Sequence, residues 1–600
     1  MATSEAQAHA LFDPITFEVL RNAFMGACNE MALTVAKTAY SSPINEGNDY
    51  ATAVYSPDGK LVCQGWSDLP AFIGLTMLTV PEVMRAIGVE NMAPGDIYLI
   101  NDPYIASTHC NDIHFVKPIF DGDEIVAFTS CTAHWADVGG VVAGSLNVHA
   151  RSHFEEGMRI PAITICKRGV MNNDIVAILL HNMRQSWERL GDLNAQVAAV
   201  RRGGARIESV VKRYGSQTVL DAMEETQNYS ERMARASFRA LPDGDYYAED
   251  RVDEDVYTGE PKTVRLKLTI SGDHAVFDLT ESDGAAESAI NCTIAATTSA
   301  VFIGLAAILP PMPVNSGVMR AIEIKAKRGS LVWAQPPVGI SGLAITTMDV
   351  TMGATTLALS EAYPERAIGL PSAVVNTNFA GDDTRPGFDG SFINYAWCYG
   401  GLGATRDHDG PNGCGSPYAA SAAMLPTELM ERRYPVLFHR LQLLPDSGGP
   451  GHSRGGLAID RTLEHYQETT VSNITNRTRF GPAGVFGGGR GWTAQLLFSP
   501  GTEQERDIGT MVTNVPVRSS EVLTFWGNGG GGYGDALERS VERVVEDVKD
   551  DYITLTAARS QYGVVIREID AQRLEYEVDE AATAALRKEM RTARGEGIGG

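Results

Sequence analysis

Residues 101–140 read NDPYIASTHCNDIHFVKPIFDGDEIVAFTSCTAHWADVGG, and this stretch contains the clearest structural pattern in the chain. Two apolar runs flank a short polar segment, and turn residues between two β-type runs are typical of a hairpin. The turn centres near residues 122–123, so antiparallel register places Asp112 almost opposite Ala133 and His134. We therefore predict a two-stranded ladder with polar residues at its open end.

His109, Asp112 and His134 are expected to meet at that open end. Two neutral imidazoles and a carboxylate suit a divalent ion such as zinc, manganese or iron, and leave coordination positions for water or substrate. The same residues also fit a solvated hairpin end without a metal. Asp137, in the same run as His134, fits either a residue that fixes a histidine tautomer or one that shapes a turn. Spacing alone leaves these interpretations open.

Asp49 is a further candidate, because it stands at the entrance of a second predicted hairpin. The segments 50–55 and 61–64 have strand character and are separated by the turn sequence Pro-Asp-Gly. This position suits a fourth metal ligand or a general base beside the metal. It equally suits a carboxylate that caps the edge of a strand.

Composition and charge narrow the class of protein. The chain has 600 residues, of which 44% are hydrophobic and 21% charged, and its net charge is −24. The length favours two or more domains, and the acidic balance argues against nucleic acid or an anionic membrane as partner. The cysteines form no CxxC pair, and the apolar stretch 300–312 is too short to span a bilayer. No secretory signal pattern is visible, so we expect a cytoplasmic protein.

The patterns along the chain predict an α+β, multi-domain fold. It should contain antiparallel sheets, a long helical segment and a β-rich, glycine-rich C-terminal half. We expect a metal-binding N-terminal region with the helical segment at 1–241, a β-rich region with mixed helices at 242–545, and a charged helical tail at 546–600. The turn residues at 242–245 mark the first boundary.

The helical segment is predicted from apolar spacing within residues 172–241. Apolar residues recur at intervals of three and four and include Trp187 and Leu190, which places both on the buried side. Gly203 and Gly204 are expected to break this pattern. A long antiparallel pair of helices results, serving as scaffold or interface.

Two glycine runs, 480–491 and 527–534, allow two interpretations. Bare glycine amides can bind an anion, but glycines more often serve turns and close backbone packing. The sequence contains no GxxxxGK[ST], HExxH or GxSxG motif. If the protein needs ATP, we therefore expect another chain to bind it.

Residues 376–418 are rich in Gly, Asp and Asn and have the composition of a long loop. Such a loop is often a lid or a substrate wall, although packed irregular structure explains the composition as well. The segment also contains several aromatic residues, which suit either an aryl pocket or a core: Phe388, Phe392, Tyr395, Trp397 and Tyr399.

Several motifs together resemble one family. They are NDPY at 101–104, HWADVGG at 134–140, EEGMRIP at 155–161 and GNGGGGYGD at 527–535. In this combination, and over nearly the whole chain, the sequence resembles the hydantoinase B/oxoprolinase family.

The resemblance implies a metal-bearing subunit that works in a hetero-oligomer with a hydantoinase A-like partner. That partner binds ATP and Mg²⁺ and phosphorylates the carbonyl oxygen of a small cyclic amide or ketone. The metal ligands implied by the family are Asp49, His109, Asp112 and His134, and Asp137 is expected to orient a ligand or to take a proton.

Three functions are compatible with this resemblance. The first is an ATP-dependent amidohydrolase subunit that acts on a hydantoin or lactam ring. The second is a subunit of an ATP-dependent ketone carboxylase of the acetone or acetophenone type. The third is a structural or regulatory subunit whose metal only stabilises the fold.

Overall fold

The computed structural model describes residues 13–388 and 390–594. The chain divides into two compact units, of which unit 1 contains Met1–Tyr247, Val264–Met352 and Ser421–Ala423, and unit 2 contains the remainder. The first crossing between the units lies close to the boundary predicted at residue 242. The chain then returns to unit 1 at Val264, whereas the sequence-based division has a single β-rich region at 242–545.

The helices that begin in unit 1 are listed in chain order, and the last of them continues into unit 2: α1 (Pro14–Thr38), α2 (Ser42–Asn45), α3 (Ile73–Ile87), α4 (Asn173–His181), α5 (Ser186–Tyr214), α6 (Ser216–Arg239), α7 (Ile294–Ile308) and α8 (Thr347–Ala362). Helices α1 and α5 pack against each other and against the large sheet of unit 1.

That sheet has seven strands in the order β2-β1-β5-β4-β3-β6-β7, and all neighbours are antiparallel. Its members are β1 (Tyr50–Tyr55), β2 (Leu61–Gln64), β3 (Ile97–Ile100), β4 (Asp112–Asp121), β5 (Glu124–His134), β6 (Ile163–Lys167) and β7 (Val170–Met171). The stretch quoted first therefore supplies its two central strands.

The central hairpin has the predicted register. Asp121 pairs with Glu124 at the turn, and Asp112 pairs with His134 at the open end. Residues 126–134 of β5 are all buried. The polar end of the hairpin is thus enclosed in protein and is not a solvated edge.

A second sheet follows in the order β11-β10-β9-β8. It contains β8 (Gly244–Val252), β9 (Lys262–Ser271), β10 (His274–Asp278) and β11 (Ile322–Lys325). Strands β9 and β10 are antiparallel, whereas β10 and β11 are parallel. The α+β class predicted from the sequence is confirmed.

Unit 2 contains a four-stranded sheet in the order β13-β12-β16-β19, a five-stranded sheet in the order β14-β15-β20-β17-β18, and a hairpin. The strands are β12 (Val375–Asp383), β13 (Gly390–Cys398), β14 (Val436–Leu443), β15 (Ile459–His465), β16 (Thr469–Ile474), β17 (Gln495–Phe498), β18 (Arg506–Asp507), β19 (Val512–Val517), β20 (Val522–Trp526), β21 (Ile566–Asp570) and β22 (Glu575–Val578). The helices are α9 (Thr427–Arg433), α10 (Val541–Lys549), α11 (Leu555–Ser560) and α12 (Glu580–Ala593).

The glycine runs of unit 2 pack backbone against backbone. The amide of Gly531 donates to the carbonyl of Leu370 at 2.9 Å. A Cβ added at Gly529 would lie 1.6 Å from the carbonyl oxygen of Ser447, so no side chain fits there. The run 527–534 therefore serves close packing, the second of the two interpretations drawn from the sequence.

Helix α5 corrects two expectations. It continues through Gly203 and Gly204, where a break was predicted. A Cβ at Gly203 would lie 2.3 Å from the sulfur of Met31, so the missing side chain lets α1 approach α5. Trp187 and Leu190 are 63% and 40% exposed, because α5 turns a different face to the core.

The segment predicted as a long loop begins with a regular hairpin instead. Strands β12 and β13 pair along their whole length, from Val375 opposite Cys398 to Asp383 opposite Gly390. Polar residues such as Asn376 occupy buried strand positions, and this hides the alternation by which strands are recognised.

One described helical stretch, Pro70–Ile87, is long and apolar enough to cross a membrane by length and composition. Half of it is buried inside the protein, where α3 packs against α7. A buried core helix has the same composition.

Candidate metal centre

His109, Asp112 and His134 form one cluster at the open end of the central hairpin. Their ligand atoms all lie within 4.8 Å of one another, and all three residues are buried. Nδ1 of His109 lies 3.3 Å from Oδ2 of Asp112, and Nδ1 of His134 lies 3.4 Å from Oδ1 of the same carboxylate. The structure thus brings together the three residues that the hairpin register predicted.

Asp49 reaches the same place from the neighbouring strand. It precedes β1, whose first residue, Tyr50, pairs with Ala133 of β5. The amide of His134 donates to the carbonyl of Asp49 at 3.0 Å. Oδ2 of Asp49 lies 3.8 Å from Nδ1 of His134, which is slightly farther than the distances inside the three-residue cluster.

The cluster fits a divalent ion. Nδ1 of His109 and Oδ1 of Asp112 are buried and have no hydrogen-bond partner among the described residues. Such atoms are destabilising unless something else satisfies them. With ligands about 2.1 Å from a tetrahedral ion, neighbouring donor atoms are roughly 3.4 Å apart, close to the separations found here. Two imidazoles with carboxylates suit zinc, manganese and iron alike.

Burial sets the protonation of the cluster. Desolvation lowers the pKa of His109 to about 4, although Asp112 opposes the shift, and desolvation also lowers the pKa of His134. Desolvation raises the pKa of Asp112 to about 6, against the opposing effect of His109, and raises the pKa of Asp49 to about 7. Both histidines are therefore neutral near pH 7, which is the form that binds a metal.

Helix α5 packs against the central hairpin and bonds to both of its strands. Gln196 donates to the carbonyls of Ile113 and Cys131 at 2.8 and 3.1 Å, and accepts from the indole of Trp135 at 2.7 Å. Its side chain thus joins both strands and the residue that follows His134. This contact holds Asp112 and His134 opposite each other.

Three further polar residues in the surroundings of the cluster were missed by sequence reasoning. Thr108 donates to Oδ2 of Asp112, and the charge of Arg189 helps to lower the pKa of His134. Asp192 accepts from the amide of Ser41 at 3.0 Å and pairs with Arg189 at 3.0 Å. The available signal was the spacing of Arg189, Asp192 and Gln196 by three and four residues, which places polar groups on one face of a helix.

Asp137 is fully buried in the loop after β5. Its Oδ1 accepts from the amides of Gly139 and Arg184 at 3.0 and 2.9 Å. Its Oδ2 accepts from the amide of Gly144 at 3.0 Å and from the guanidinium of Arg184 at 2.9 Å. Asp137 therefore organises the loop that follows His134, and a catalytic role for it stays a prediction.

Comparison with known proteins identifies the family of this chain. The model of the family described as Hydantoinase B/oxoprolinase matches residues 13–536. The chain belongs to the hydantoinase B/oxoprolinase family. Caprolactamase subunit beta of Pseudomonas jessenii is 33% identical over 96% of this chain and 99% of its own. 5-oxoprolinase 1 of Arabidopsis thaliana is 28% identical over 89% of this chain and 43% of its own length.

Two solved structures resemble this member of the hydantoinase B/oxoprolinase family. The ATP-dependent caprolactamase from Pseudomonas jessenii has a TM-score of 0.88 at 32% identity, covering 96% of this chain and 100% of that one. Acetone carboxylase in its nucleotide-free form has a TM-score of 0.89 at 19% identity, covering 98% of this chain and 84% of that one. The second likeness shows a shared fold and nothing finer.

Proposed function

We propose that this chain is the metal-containing catalytic subunit of an ATP-dependent amidohydrolase that opens a cyclic amide such as a hydantoin or lactam. A hydantoinase A-like partner would bind ATP and Mg²⁺ and phosphorylate the carbonyl oxygen. The present chain would then complete the hydrolysis. We place both in one hetero-oligomer in the cytoplasm.

One observation carries the proposal. His109, Asp112 and His134 form a buried cluster in which Nδ1 of His109 and Oδ1 of Asp112 have no hydrogen-bond partner among the described residues. The cluster lies in a chain that matches a caprolactamase subunit over 96% of its length. Buried polar atoms without partners destabilise the folded protein unless a bound ligand satisfies them. The relative is named as a subunit, which supports a partner for this chain as well.

The chain's own residues have separate tasks in this reaction. His109, Asp112 and His134 would hold the ion, with Asp49 as fourth ligand. When bound, a divalent ion supplies a Lewis acid and lowers the pKa of water from 15.7 toward about 7. Thr108 fixes Oδ2 of Asp112, and this orients the other oxygen toward His134.

The chemistry requires both subunits. An amide carbonyl is a poor electrophile, and phosphorylation of its oxygen makes the carbon easier to attack. Water adds to that carbon, the ring C–N bond breaks as the nitrogen takes up a proton, and the resulting acyl phosphate is hydrolysed to carboxylate and phosphate.

A ketone carboxylase is the alternative function. Its support is the likeness to acetone carboxylase, which at 19% identity extends to the fold alone. The caprolactamase subunit matches over its full length at 33% identity, and this favours the amidohydrolase.

The test is phosphate release from the chain co-purified with its partner, on panels of cyclic amides and ketones with and without bicarbonate. We expect turnover of a cyclic amide that is indifferent to bicarbonate and gives a ring-opened acid. Turnover of a ketone only in the presence of bicarbonate would identify a carboxylase instead. The chain alone should not hydrolyse ATP, and robust ATP hydrolysis by it would contradict the division of labour.

A further inference from the structure

Helices α10 and α12 of unit 2 border a groove that has room for another molecule. Its volume is about 1190 Å³, and its lining comes from these two helices and from Val578 at the end of β22. Small-molecule sites usually have about 300–1,000 Å³. The size of this groove therefore favours the surface of another protein as its occupant.

The two helices give the groove walls of opposite charge. The acidic wall consists of Glu542 and Glu546 on α10, and the basic wall consists of Arg587, Lys588 and Arg591 on α12. Apolar side chains line the same groove: Val541, Val545, Val578 and Ala584. Apolar contacts combined with charged ones are typical of surfaces at which proteins associate.

Two further charges line the groove and have the sign of the opposite wall. Lys549 lies in the last turn of α10, and Glu580 lies in the first turn of α12. The helix dipole favours a cation at a C-terminus and an anion at an N-terminus. These two charges are therefore accounted for by their own helices.

The charges within each wall repel one another. Glu542 and Glu546 are four residues apart on α10, as are Arg587 and Arg591 on α12. Like charges at this spacing are neighbours on a helix and destabilise it. Burial and the charge of Arg591 lower the pKa of Arg587. Neither wall is thus arranged to stabilise its own helix.

Ion pairs within unit 2 do not relieve this repulsion. The nearby pairs use other residues of the region, such as Arg594 with Asp535 at 2.8 Å. Glu542, Glu546 and Lys588 are exposed, and none of them forms an ion pair within the described part of the chain. Their charges are therefore available to an occupant of the groove.

A second copy of this chain has the charges that each wall lacks. When two copies face each other about a two-fold axis that runs along the groove, α10 of one lies opposite α12 of the other. The acidic wall of each copy then meets the basic wall of its partner, and every contact occurs twice. We propose that this groove is a self-association surface through which two copies of the chain form a symmetric dimer.

Charge reversal tests the dimer and includes its own rescue. The acidic variant combines Lys588→Glu with Arg591→Glu, and the basic variant combines Glu542→Lys with Glu546→Lys. Each variant alone brings like charges together, so its dimer should have a Kd at least about tenfold higher than that of wild type. An equal mixture of the two variants should recover the wild-type Kd, because opposite charges meet again.

Sedimentation velocity of the full chain without its partner, over a range of concentrations, measures the dimer. The wild-type Kd should rise with added salt, since exposed charges are screened. The control variant combines Glu224→Lys with Glu503→Lys, two exposed positions outside the groove, and should dimerise like wild type.

Folding is monitored separately by Tm. Arg587 is left unchanged, because it donates to the carbonyls of Tyr562 and Arg539 at 3.0 and 2.7 Å and so holds α12 in place. Exposed substitutions should change Tm little. If a double variant does not fold, Lys588→Glu or Glu546→Lys alone takes its place.

Three results would overturn the proposal. They are a wild-type chain that stays monomeric at every concentration, a dimer that both variants leave unchanged, and two weakened variants whose mixture does not recover. If the chain is monomeric and the variants instead lose the hydantoinase A-like partner, the groove belongs to that partner. None of these measurements depends on turnover, so the proposed hydrolase is tested separately.

Discussion

At the scale of single residues, His109 and His114 show how surroundings decide the role of a histidine. His114 lies two positions beyond Asp112, and its Nδ1 is bonded to the hydroxyls of Thr79 and Thr132 at 3.2 and 2.6 Å. Burial lowers the pKa of His114 to about 3. Nδ1 of His109 has no such partner and faces the Asp112 carboxylate instead. Of these two histidines, only His109 therefore turns its Nδ1 to the carboxylate of the cluster.

Removal of one ligand tests the metal centre. We expect His109→Ala to retain less than about one-tenth of the bound metal and to lower turnover in the assembled complex by at least about 100-fold, because four protein ligands become three and one of the two imidazoles is lost. Metal content is measured by elemental mass spectrometry and assembly by gel filtration. The exposed His408→Ala is the control. Full turnover without metal would refute a catalytic ion, and failure to assemble would indicate a structural one.

Asp137 and Arg184 allow a catalytic role to be separated from loop positioning. Asp137→Asn and Arg184→Ala both remove the ion pair, while Asp137→Asn keeps one side-chain oxygen as acceptor for the backbone amides of the loop, so a purely positioning role predicts similar losses of turnover. A catalytic role predicts a loss of kcat in Asp137→Asn at least about tenfold larger, with KM changed equally in both. The kinetic constants of the assembled complex, measured across pH, decide between them. Equal losses would remove Asp137 from the chemistry.

At the scale of elements, the contact between α5 and the central hairpin holds the two strands of the metal centre together. We expect Gln196→Met to lower the free energy of unfolding by about 2–3 kcal/mol, because Trp135 loses its acceptor and two carbonyls lose their donor. Urea unfolding measures the loss. Metal affinity should fall as well, since this contact holds Asp112 opposite His134. Gln217→Met, on the exposed surface of α6, should change neither quantity, and an unaltered metal affinity in Gln196→Met would contradict the positioning argument.

The same elements show what sequence could and could not predict. The register of β4 and β5 followed from a short turn between apolar runs, so Asp112 and His134 were placed correctly opposite each other. The buried face of α5 was predicted wrongly. Trp187 and Leu190 are apolar but exposed, while the buried face includes the polar Gln196. Pairing within a hairpin is local, whereas contact with a helix depends on residues far away in sequence.

At the scale of the whole molecule, unit 2 depends on a charged network between distant segments. Asp409 accepts two hydrogen bonds from Arg539 at 2.7 and 2.8 Å, and Arg543 lies 2.7 Å from the same carboxylate. Although burial opposes it, bonding to Arg539 lowers the pKa of Asp409 to about 2. Arg539 also binds Asp547 at 2.7 Å, and burial raises the pKa of that carboxyl.

This network predicts acid sensitivity with a definite sign. The native pKa of Asp409 is below its unfolded value, so its stabilisation is present above about pH 4 and is lost as the pH falls toward about 2. We expect Asp409→Asn to be about 2 kcal/mol less stable than wild type at pH 7, and the difference to shrink below pH 4. Urea titrations at pH 7 and pH 3 measure it. A difference that is constant with pH would rule out the ionised carboxylate as its source.

The glycine packing of unit 2 also limits how early the nascent chain can fold during translation. The bond from Gly531 to Leu370 joins residues 161 positions apart. At about 5–20 residues per second, the ribosome needs roughly 8–30 seconds between these two residues. Throughout that interval the carbonyl of Leu370 lacks its native hydrogen-bond donor. Unit 2 therefore completes this packing only after residue 531 has been synthesised, and chaperones that cover nascent chains have their clearest opportunity before then.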